Sequence, residues 1–165
     1  MAATPPPIVL GIDPGTHRLG WGVVFRRGSK YHHVAHGVLR APARAELPER
    51  LRILGDGLER VIADVDPTVV AIEQAFVHLD PHAALVIGHA RGVAMFLTAR
   101  AGKTVFEYPP TVVKRAVVGT GRADKAQVAA MIRSILGLDA LPPEDAADAL
   151  GVAVCHAGSL PLPTR

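Results

Sequence analysis

The stretch Ile8-Val9-Leu10-Gly11-Ile12-Asp13-Pro14-Gly15-Thr16 places an acidic residue directly after an uninterrupted run of apolar and small residues. A short run of this kind that is closed by a turn predicts a buried strand at about 8–13. Pro14 and Gly15 supply the restricted and the permissive backbone angles that a tight turn needs. Asp13 therefore either caps the turn with its own side chain or stands at the end of a strand as a functional carboxylate.

Three further acids stand in comparable surroundings. Glu73 ends a strand predicted at about 68–73, while Asp145 and Asp148 lie on the same side of an alanine-rich helix. If the strands that end at Asp13 and Glu73 are parallel neighbours, their carboxylates leave the sheet at the same edge. Converging carboxylates repel one another, so we expect a divalent cation, and Mg²⁺ or Mn²⁺ suits hard oxygen ligands. The alternatives are that Glu73 marks a solvated strand end and that the two aspartates favour the helix dipole.

The order of elements predicts an α/β fold in which one five-stranded mixed sheet carries helices on both faces. The first three strands are expected to be antiparallel neighbours, and the last two alternate with helices. We expect one domain over 1–165 with flexible ends at 1–7 and 158–165. Strands are predicted at about 8–13, 20–27, 31–40, 68–73 and 104–108, and helices at about 47–66, 81–101, 111–117, 125–137 and 142–157.

The composition is typical of a folded protein outside membranes. The chain has 165 residues, of which 49% are hydrophobic and 20% charged, and its net charge of +3 permits a polyanionic partner without requiring one. Cys155, the only cysteine, lies in an apolar stretch and is expected to be a buried structural thiol. The first residues lack the features of a signal peptide, so we expect a cytoplasmic protein.

The helix predicted at 81–101 is apolar on more than one side, and His89 and Arg91 argue against a membrane span. Gly88 and Gly92, four residues apart, would let another backbone come close. This helix is either central and buried or shared between the core and a homodimer interface.

Two lysines and one phenylalanine are candidates for nucleic-acid contacts. Lys114 and Lys125 flank a glycine-containing loop that leads into a helix, an arrangement that can hold phosphate oxygens, although solvated surface lysines are the alternative. Asp124 and Gln127 predict a capping box at the start of that helix. Phe76, three residues beyond Glu73, could stack on a nucleobase, with core packing as the ordinary alternative.

Taken together, these motifs resemble the RuvC family of Holliday-junction resolvases, which are endonucleases with a ribonuclease H-like fold. The resemblance spans about residues 8–157. It is carried by Gly11–Thr16, Gly20–Gly22, Ala71–Phe76, Gly88–Val93, Phe106–Pro110, Val112–Lys114, Val117–Gly121, Lys125–Val128 and Glu144–Leu150.

The resemblance implies a Mg²⁺-dependent endodeoxyribonuclease that resolves four-way DNA junctions in recombination and repair. Water would attack the phosphodiester and leave a 5′-phosphate and a 3′-hydroxyl. Lys114 and Lys125 would contact the DNA backbone near the scissile phosphate, and Phe76 would interact with a base near the junction centre. Two Mg²⁺ ions per subunit, with Mn²⁺ as a possible substitute, would be held by Asp13, Glu73, Asp145 and Asp148.

The resemblance also implies an assembly. The helix that carries Gly88 and Gly92 would form the interface of a homodimer, whose two sites make symmetric nicks. The dimer would act beside a branch-migration motor of the RuvA and RuvB type. The segment Val77–His82 departs from the family pattern because it lacks the Lys and Asn of well-known members, which leaves the grip on the junction and any cleavage-sequence preference open.

Three other functions compete with junction resolution. A related ribonuclease H-like hydrolase could act on structured RNA, although Glu73-Gln74 and the loop before Lys125 argue against it. An actin-like nucleotide-binding module opens with a similar Asp-x-Gly-Thr turn, but 165 residues are too few for its second lobe. A DNA-binding protein without activity has no use for four intact carboxylates.

Overall fold

The computed structural model describes residues 5–74 and 81–161, and the elements lie close to the predicted positions. Bounds differ by one or two residues, because the last turn of a helix and the first pair of a strand leave little trace in the sequence. In chain order the elements are β1 (Ile8–Asp13), β2 (Arg18–Arg27), β3 (Lys30–Arg40), α1 (Leu47–Val65), β4 (Val69–Glu73), α2 (Pro81–Arg100), β5 (Thr104–Tyr108), α3 (Pro110–Val118), α4 (Lys125–Leu136) and α5 (Glu144–Ser159).

The five strands form one mixed sheet in the order β3-β2-β1-β4-β5. Strands β1, β2 and β3 pair antiparallel, whereas β1 pairs parallel with β4 and β4 with β5. The predicted mixed sheet is confirmed, and the first and fourth strands are the parallel neighbours on which the convergence of Asp13 and Glu73 depended. Because Ile12 pairs with Ile72, the residues that follow them, Asp13 and Glu73, leave neighbouring strands at the same edge.

Helices cover both faces of the sheet, as the alternation of elements predicts. The side chains of Leu10, Ile12 and Ile72 pack on α1 and α2, and those of Val9 and Ala71 on α3, α4 and α5. Successive residues of a strand point to opposite faces, so the apolar runs of β1 and β4 serve both layers at once. Because β1 and β4 are buried on both faces, their ends are held in place. Asp13 and Glu73 stand at those ends and are therefore fixed as well.

Helix α5 lies unusually close to the sheet. A Cβ atom at Gly11 would come 2.0 Å from the carbonyl oxygen of Ala149, and one at Gly20 would come 1.9 Å from that of Asp145. The small residues predicted on α5 are therefore met by glycines in β1 and β2, and helix backbone rests on strand backbone. This contact fixes the height of the first turns of α5, which carry the aspartates, above the sheet.

Substituting Gly11 by Ala should lower the free energy of unfolding by about 3 kcal/mol or more, since the new methyl group meets backbone that cannot move alone. Gly57→Ala on α1 is the matched control. Its added Cβ would meet only the Leu39 side chain, at 3.0 Å, and alanine favours a helix over glycine. Urea unfolding of both variants tests this expectation. Equal, small changes in the free energy of unfolding would show that α5 can move away from the sheet without loss of stability.

Helix α2 is not the central buried helix that the sequence allowed. In the part of the chain that the structure describes, it is the one helix long and apolar enough to cross a membrane by length and composition, yet only Ala90, Ala94, Leu97 and Thr98 are buried. Its inner side packs on α1 and the sheet, and Arg91 binds the neighbouring strands.

The outer side of α2 carries an exposed apolar stripe. Leu85 is 68% exposed and Phe96 62%, and Gly88 and Gly92 lie between them with nothing within 4 Å of an added Cβ. Spacings of three and four residues place all four on one side of the helix, opposite Ala90 and Ala94. The apolar pattern on two sides thus reflects one packed and one open face.

Candidate active site

Three of the four predicted carboxylates line one cleft. Asp13 at the end of β1, Glu73 at the end of β4 and Asp148 on α5 surround a cavity of about 250 Å³, together with Lys114 and Lys125. Pro110, Val113 and Val128 complete its wall. Groups separated by up to 135 positions in the chain meet here because β1 and β4 are neighbours and α5 crosses above their ends. The predicted convergence of these acids is therefore what the fold produces.

Asp145 lies at the rim of this cleft. Its carboxylate pairs with the guanidinium of Arg18 at the start of β2, with Nε 3.4 Å from Oδ2. It still acts on the cleft electrostatically, since its charge contributes to the raised pKa of Asp13. Asp145 thus belongs to the acidic group but does not line its cavity.

The cleft disfavours negative charge on its own carboxylates. Burial, followed by repulsion from Glu73, Asp148 and Asp145, raises the pKa of Asp13 to about 8. Burial and the charge of Asp148 raise the pKa of Glu73 to about 7, although Lys125, Lys114 and Arg91 oppose this. Burial also raises the pKa of Asp148, against the attraction of Lys125. Such a group of acids gains stability from any added positive charge.

Lys125 links two acids on α5. Its Nζ lies 2.5 Å from a Glu144 oxygen and 3.5 Å from an Asp148 oxygen, and the hydrogen bond to Glu144 raises its pKa. The predicted capping box is present, because Asp124 accepts from the backbone of Gln127 and Gln127 accepts from that of Asp124. It begins α4 at Lys125 and so fixes where this ammonium enters the cleft. Lys125 is therefore not an unpaired surface lysine.

Arg91 of α2 contacts the end of β4 and helps to hold it in place. Its guanidinium donates to the backbone carbonyl of Glu73 and pairs with the carboxylate of Glu107 on β5. It also lowers the pKa of Glu73, though less than burial raises it. Sequence reasoning treated Arg91 only as an interruption of an apolar helix. The signal for its role was a charge on the packed side of that helix.

The carboxylates of the cleft are chemically suited to a hard divalent cation. Carboxylate oxygens are the ligands that Mg²⁺ and Mn²⁺ prefer, and the pKa values of Asp13 and Glu73 are raised first by burial and then by repulsion from the neighbouring carboxylates. Within residues 5–74 and 81–161, however, no three acidic, histidine or cysteine side chains form a closed ligand group. Asp145 and Asp148 are instead drawn toward Arg18 and Lys125. The carboxylates face one another without being prearranged as a coordination shell.

Sequence reasoning named one residue that the structure does not describe and overlooked two that it places at the site. Phe76, together with most of the departing segment Val77–His82, lies outside the described residues. Arg18 pairs with Asp145, and Glu144 pairs with Lys125. An arginine at the start of a strand and a glutamate at the start of a helix give no sign in the sequence of which side chains face them.

Residues 9–156 match the family model described as crossover junction endodeoxyribonuclease RuvC. Relatives of that description include one from Chloroflexus aggregans, 49% identical over 94% of this chain and 96% of the relative. Another, from Rubrobacter xylanophilus, is 46% identical over 92% of this chain and 86% of the relative.

Solved structures agree with the sequence relatives. RuvC of T. thermophilus, in complex with a Holliday junction substrate, has a TM-score of 0.85 and 36% identity, covering 92% of this chain and 93% of the other. A yeast mitochondrial Holliday junction resolvase has a TM-score of 0.67 at 15% identity, covering 93% of this chain and 80% of the other, which shows a shared fold alone. The predicted ribonuclease H-like architecture of junction resolvases is confirmed.

Proposed function

We propose that this chain, which belongs to the RuvC family of crossover junction endodeoxyribonucleases, resolves four-way DNA junctions by paired symmetric nicks, in recombination and repair. The observation that carries the proposal is the cleft in which Asp13, Glu73 and Asp148 meet Lys114 and Lys125. An acidic centre with cationic walls suits a phosphodiester, whose negative oxygens need positive neighbours while the reacting atoms need metal-binding carboxylates.

We further propose that Asp13, Glu73, Asp145 and Asp148 hold two Mg²⁺ ions per subunit, which Mn²⁺ can replace. Bound divalent cations would supply a more acidic water and positive charge beside the attacking and leaving oxygens. Asp13 and Glu73, fixed by strands buried on both faces, would define one side of the binding position. The aspartates on α5, whose height is set by the contact with Gly11 and Gly20, would define the other.

The lysines would act on the DNA rather than on the carboxylates alone. In the free protein Lys125 is shared between Glu144 and Asp148. A phosphate entering the cleft could take over Lys125, because a charge-assisted hydrogen bond to phosphate replaces the one to Glu144. Lys114, on the wall of the same cavity, would add a second positive charge near the scissile group.

The direct test is cleavage of a labelled synthetic four-way junction, beside a linear duplex of the same sequence and a structured RNA. Each substrate is incubated with Mg²⁺, with Mn²⁺ and with EDTA. We expect paired nicks in the junction only, at 5′-phosphate and 3′-hydroxyl ends, and no cleavage in EDTA. Preferential cleavage of the RNA would instead favour the rival hydrolase, and binding without cleavage in either metal would favour a protein without activity.

Substituting Lys125 by Ala should weaken junction binding and reduce the slope of log K against log salt concentration by about 0.9, which is the loss of one phosphate contact. Lys103→Ala is the matched control, since Lys103 pairs with Asp66, which follows α1. Fluorescence anisotropy at several KCl concentrations gives both slopes. An unchanged slope for Lys125→Ala would return this residue to a role within the protein alone.

We propose that the protein acts as a homodimer through the exposed stripe of α2. Leu85, Gly88, Gly92 and Phe96 form an apolar surface whose two glycines permit close approach of a second helix. Two copies would then present two clefts to one junction. Recruitment by a branch-migration motor of the RuvA and RuvB type, a cytoplasmic location and contact of Phe76 with a base at the junction centre are proposals that rest on the family.

Leu85→Asp should convert the dimer to a monomer at micromolar concentrations, because a carboxylate would be buried without a partner. Leu141→Asp, at an exposed apolar residue in the loop before α5, is the control and should leave the mass unchanged. Light scattering coupled to size-exclusion chromatography measures both. Equal masses for wild type and Leu85→Asp would remove α2 from the interface.

A further inference from the structure

Two arginines lie directly opposite each other at the end of the β2–β3 hairpin that is nearest to the acidic cleft. Arg18 at the start of β2 pairs in register with Arg40 at the end of β3. Residues opposite each other on antiparallel strands point to the same face. That face is the one covered by α5, since Gly20, two residues beyond Arg18, is backed by the Asp145 carbonyl.

The two arginines differ in what they contact. Arg18 is 56% exposed, although its Nε approaches the carboxylate of Asp145 to 3.4 Å. Arg40 is exposed, and no carboxylate among residues 5–74 and 81–161 pairs with it. Like charges directly opposite on a hairpin destabilise it. A bound anion between the two guanidinium groups would remove that cost.

The arginines and the lysines come to the acidic group from different elements of the fold. Lys114 and Lys125 reach the cleft from α3 and α4, whereas Arg18 and Arg40 belong to the β2–β3 hairpin, where Arg18 pairs with Asp145 at the rim. Positive charge therefore reaches the acidic group from α3 and α4 and, separately, from the β2–β3 hairpin. A DNA strand whose scissile phosphate lies over the carboxylates would extend beyond them, and the hairpin arginines beside Asp145 would be within its reach.

Resting on the proposed junction cleavage, we propose that Arg18 and Arg40 form a second phosphate-binding subsite for the DNA backbone. It lies on the β2–β3 hairpin beside Asp145, whereas Lys114 and Lys125 come from α3 and α4, and its ligand is a backbone phosphate next to the one that is cleaved. Arginine suits this role because its planar guanidinium can donate two parallel hydrogen bonds to phosphate oxygens. Arg18 would contact both that phosphate and Asp145. The position of the DNA strand would thereby be linked to the position of the Asp145 carboxylate.

The hairpin itself supplies the matched control. Arg27 and Lys30 form another directly opposed cationic pair at the far end of the same two strands. The double variants Arg18→Gln with Arg40→Gln and Arg27→Gln with Lys30→Gln remove the same charge from the same hairpin. Binding of a labelled four-way junction is measured by anisotropy without divalent cations, so that no cleavage occurs, at several KCl concentrations.

We expect the first double variant to reduce the slope of log K against log salt by about 1.8, and the control to keep the wild-type slope. The single variant Arg40→Gln, which disturbs no carboxylate, should reduce it by about 0.9. Replacing both by Lys should restore the slope, because the point charges return. Equal reductions in the two double variants, or none in the first, would overturn the subsite.

Failure of the subsite and failure of the proposed function give different results. If the subsite is wrong but the function right, the wild type and the control double variant bind and cleave junctions, and the arginine variants match them. If the function is wrong, the wild type itself neither prefers junctions over linear duplex nor cleaves them in Mg²⁺. Thermal unfolding of each variant confirms that it is folded before binding is compared.

Discussion

Asp13→Asn should reduce the rate of junction cleavage by about 1,000-fold or more while junction binding stays within a few-fold of wild type. The carboxylate at the end of β1 is the most buried acid of the cleft and the one on which Glu73, Asp148 and Asp145 all act. Losing a carboxylate that holds a catalytic cation removes several kcal/mol of transition-state stabilisation, and each 1.36 kcal/mol is tenfold in rate. Asparagine keeps the shape of the side chain and adds no charge that would repel DNA, so binding should not suffer.

The matched control is Asp64→Asn, which makes the same chemical change at an exposed position on α1. Single-turnover cleavage at saturating enzyme separates the chemical step from binding, and anisotropy in EDTA reports binding alone. Cleavage by Asp13→Asn within about threefold of the Asp64→Asn rate would show that the carboxylate at β1 has no part in the reaction. Loss of binding together with cleavage would point to misfolding instead.

The sheet and the convergence of the acids were predictable because both depend on chain order and hydrophobic pattern. Two apolar runs, each closed by an acid, predict two buried strands, and strands that lie parallel as neighbours bring their carboxyl ends to the same edge of the sheet. Asp13 and Glu73 accordingly lie side by side. Even the start of α4 was predictable, since Asp124 and Gln127 satisfy each other's backbone locally.

Contacts between distant elements were harder to predict. The sequence placed Asp145 and Asp148 on one side of α5, but which of them lines the cleft depends on how the helix rotates against Gly11 and Gly20. Arg18 meets Asp145 only because β2 and α5 cross there. Helix α2 is apolar nearly all round, and periodicity alone does not separate a packed face from an exposed one.

In the absence of divalent cations, the thermal stability of the protein should fall as the pH rises from about 5 to about 8.5. Asp13, with a pKa of about 8, and Glu73, with a pKa of about 7, keep protons in the folded state that the unfolded chain releases near pH 4. The folded state then binds more protons than the unfolded state, so the free energy of unfolding decreases with pH. A tenfold difference in proton affinity between the two states is worth about 1.4 kcal/mol, so a loss on the order of a few kcal/mol is expected, or roughly 5–10 °C in Tm.

Divalent cations should reverse this loss, because they neutralise the same carboxylates without a proton. Mg²⁺ or Mn²⁺ should raise the Tm strongly at pH 8.5 and little at pH 5, where protons already occupy the site. Asp13→Asn, which removes the carboxyl with the highest pKa of the cleft, should flatten the fall and weaken the metal effect, whereas Asp64→Asn should keep both. Differential scanning fluorimetry in EDTA, Mg²⁺ and Mn²⁺ at fixed protein concentration measures these profiles for each variant. A wild-type Tm that rises over this range, or an Asp13→Asn profile that matches the wild type, would mean that these carboxylates are charged and already compensated in the free protein.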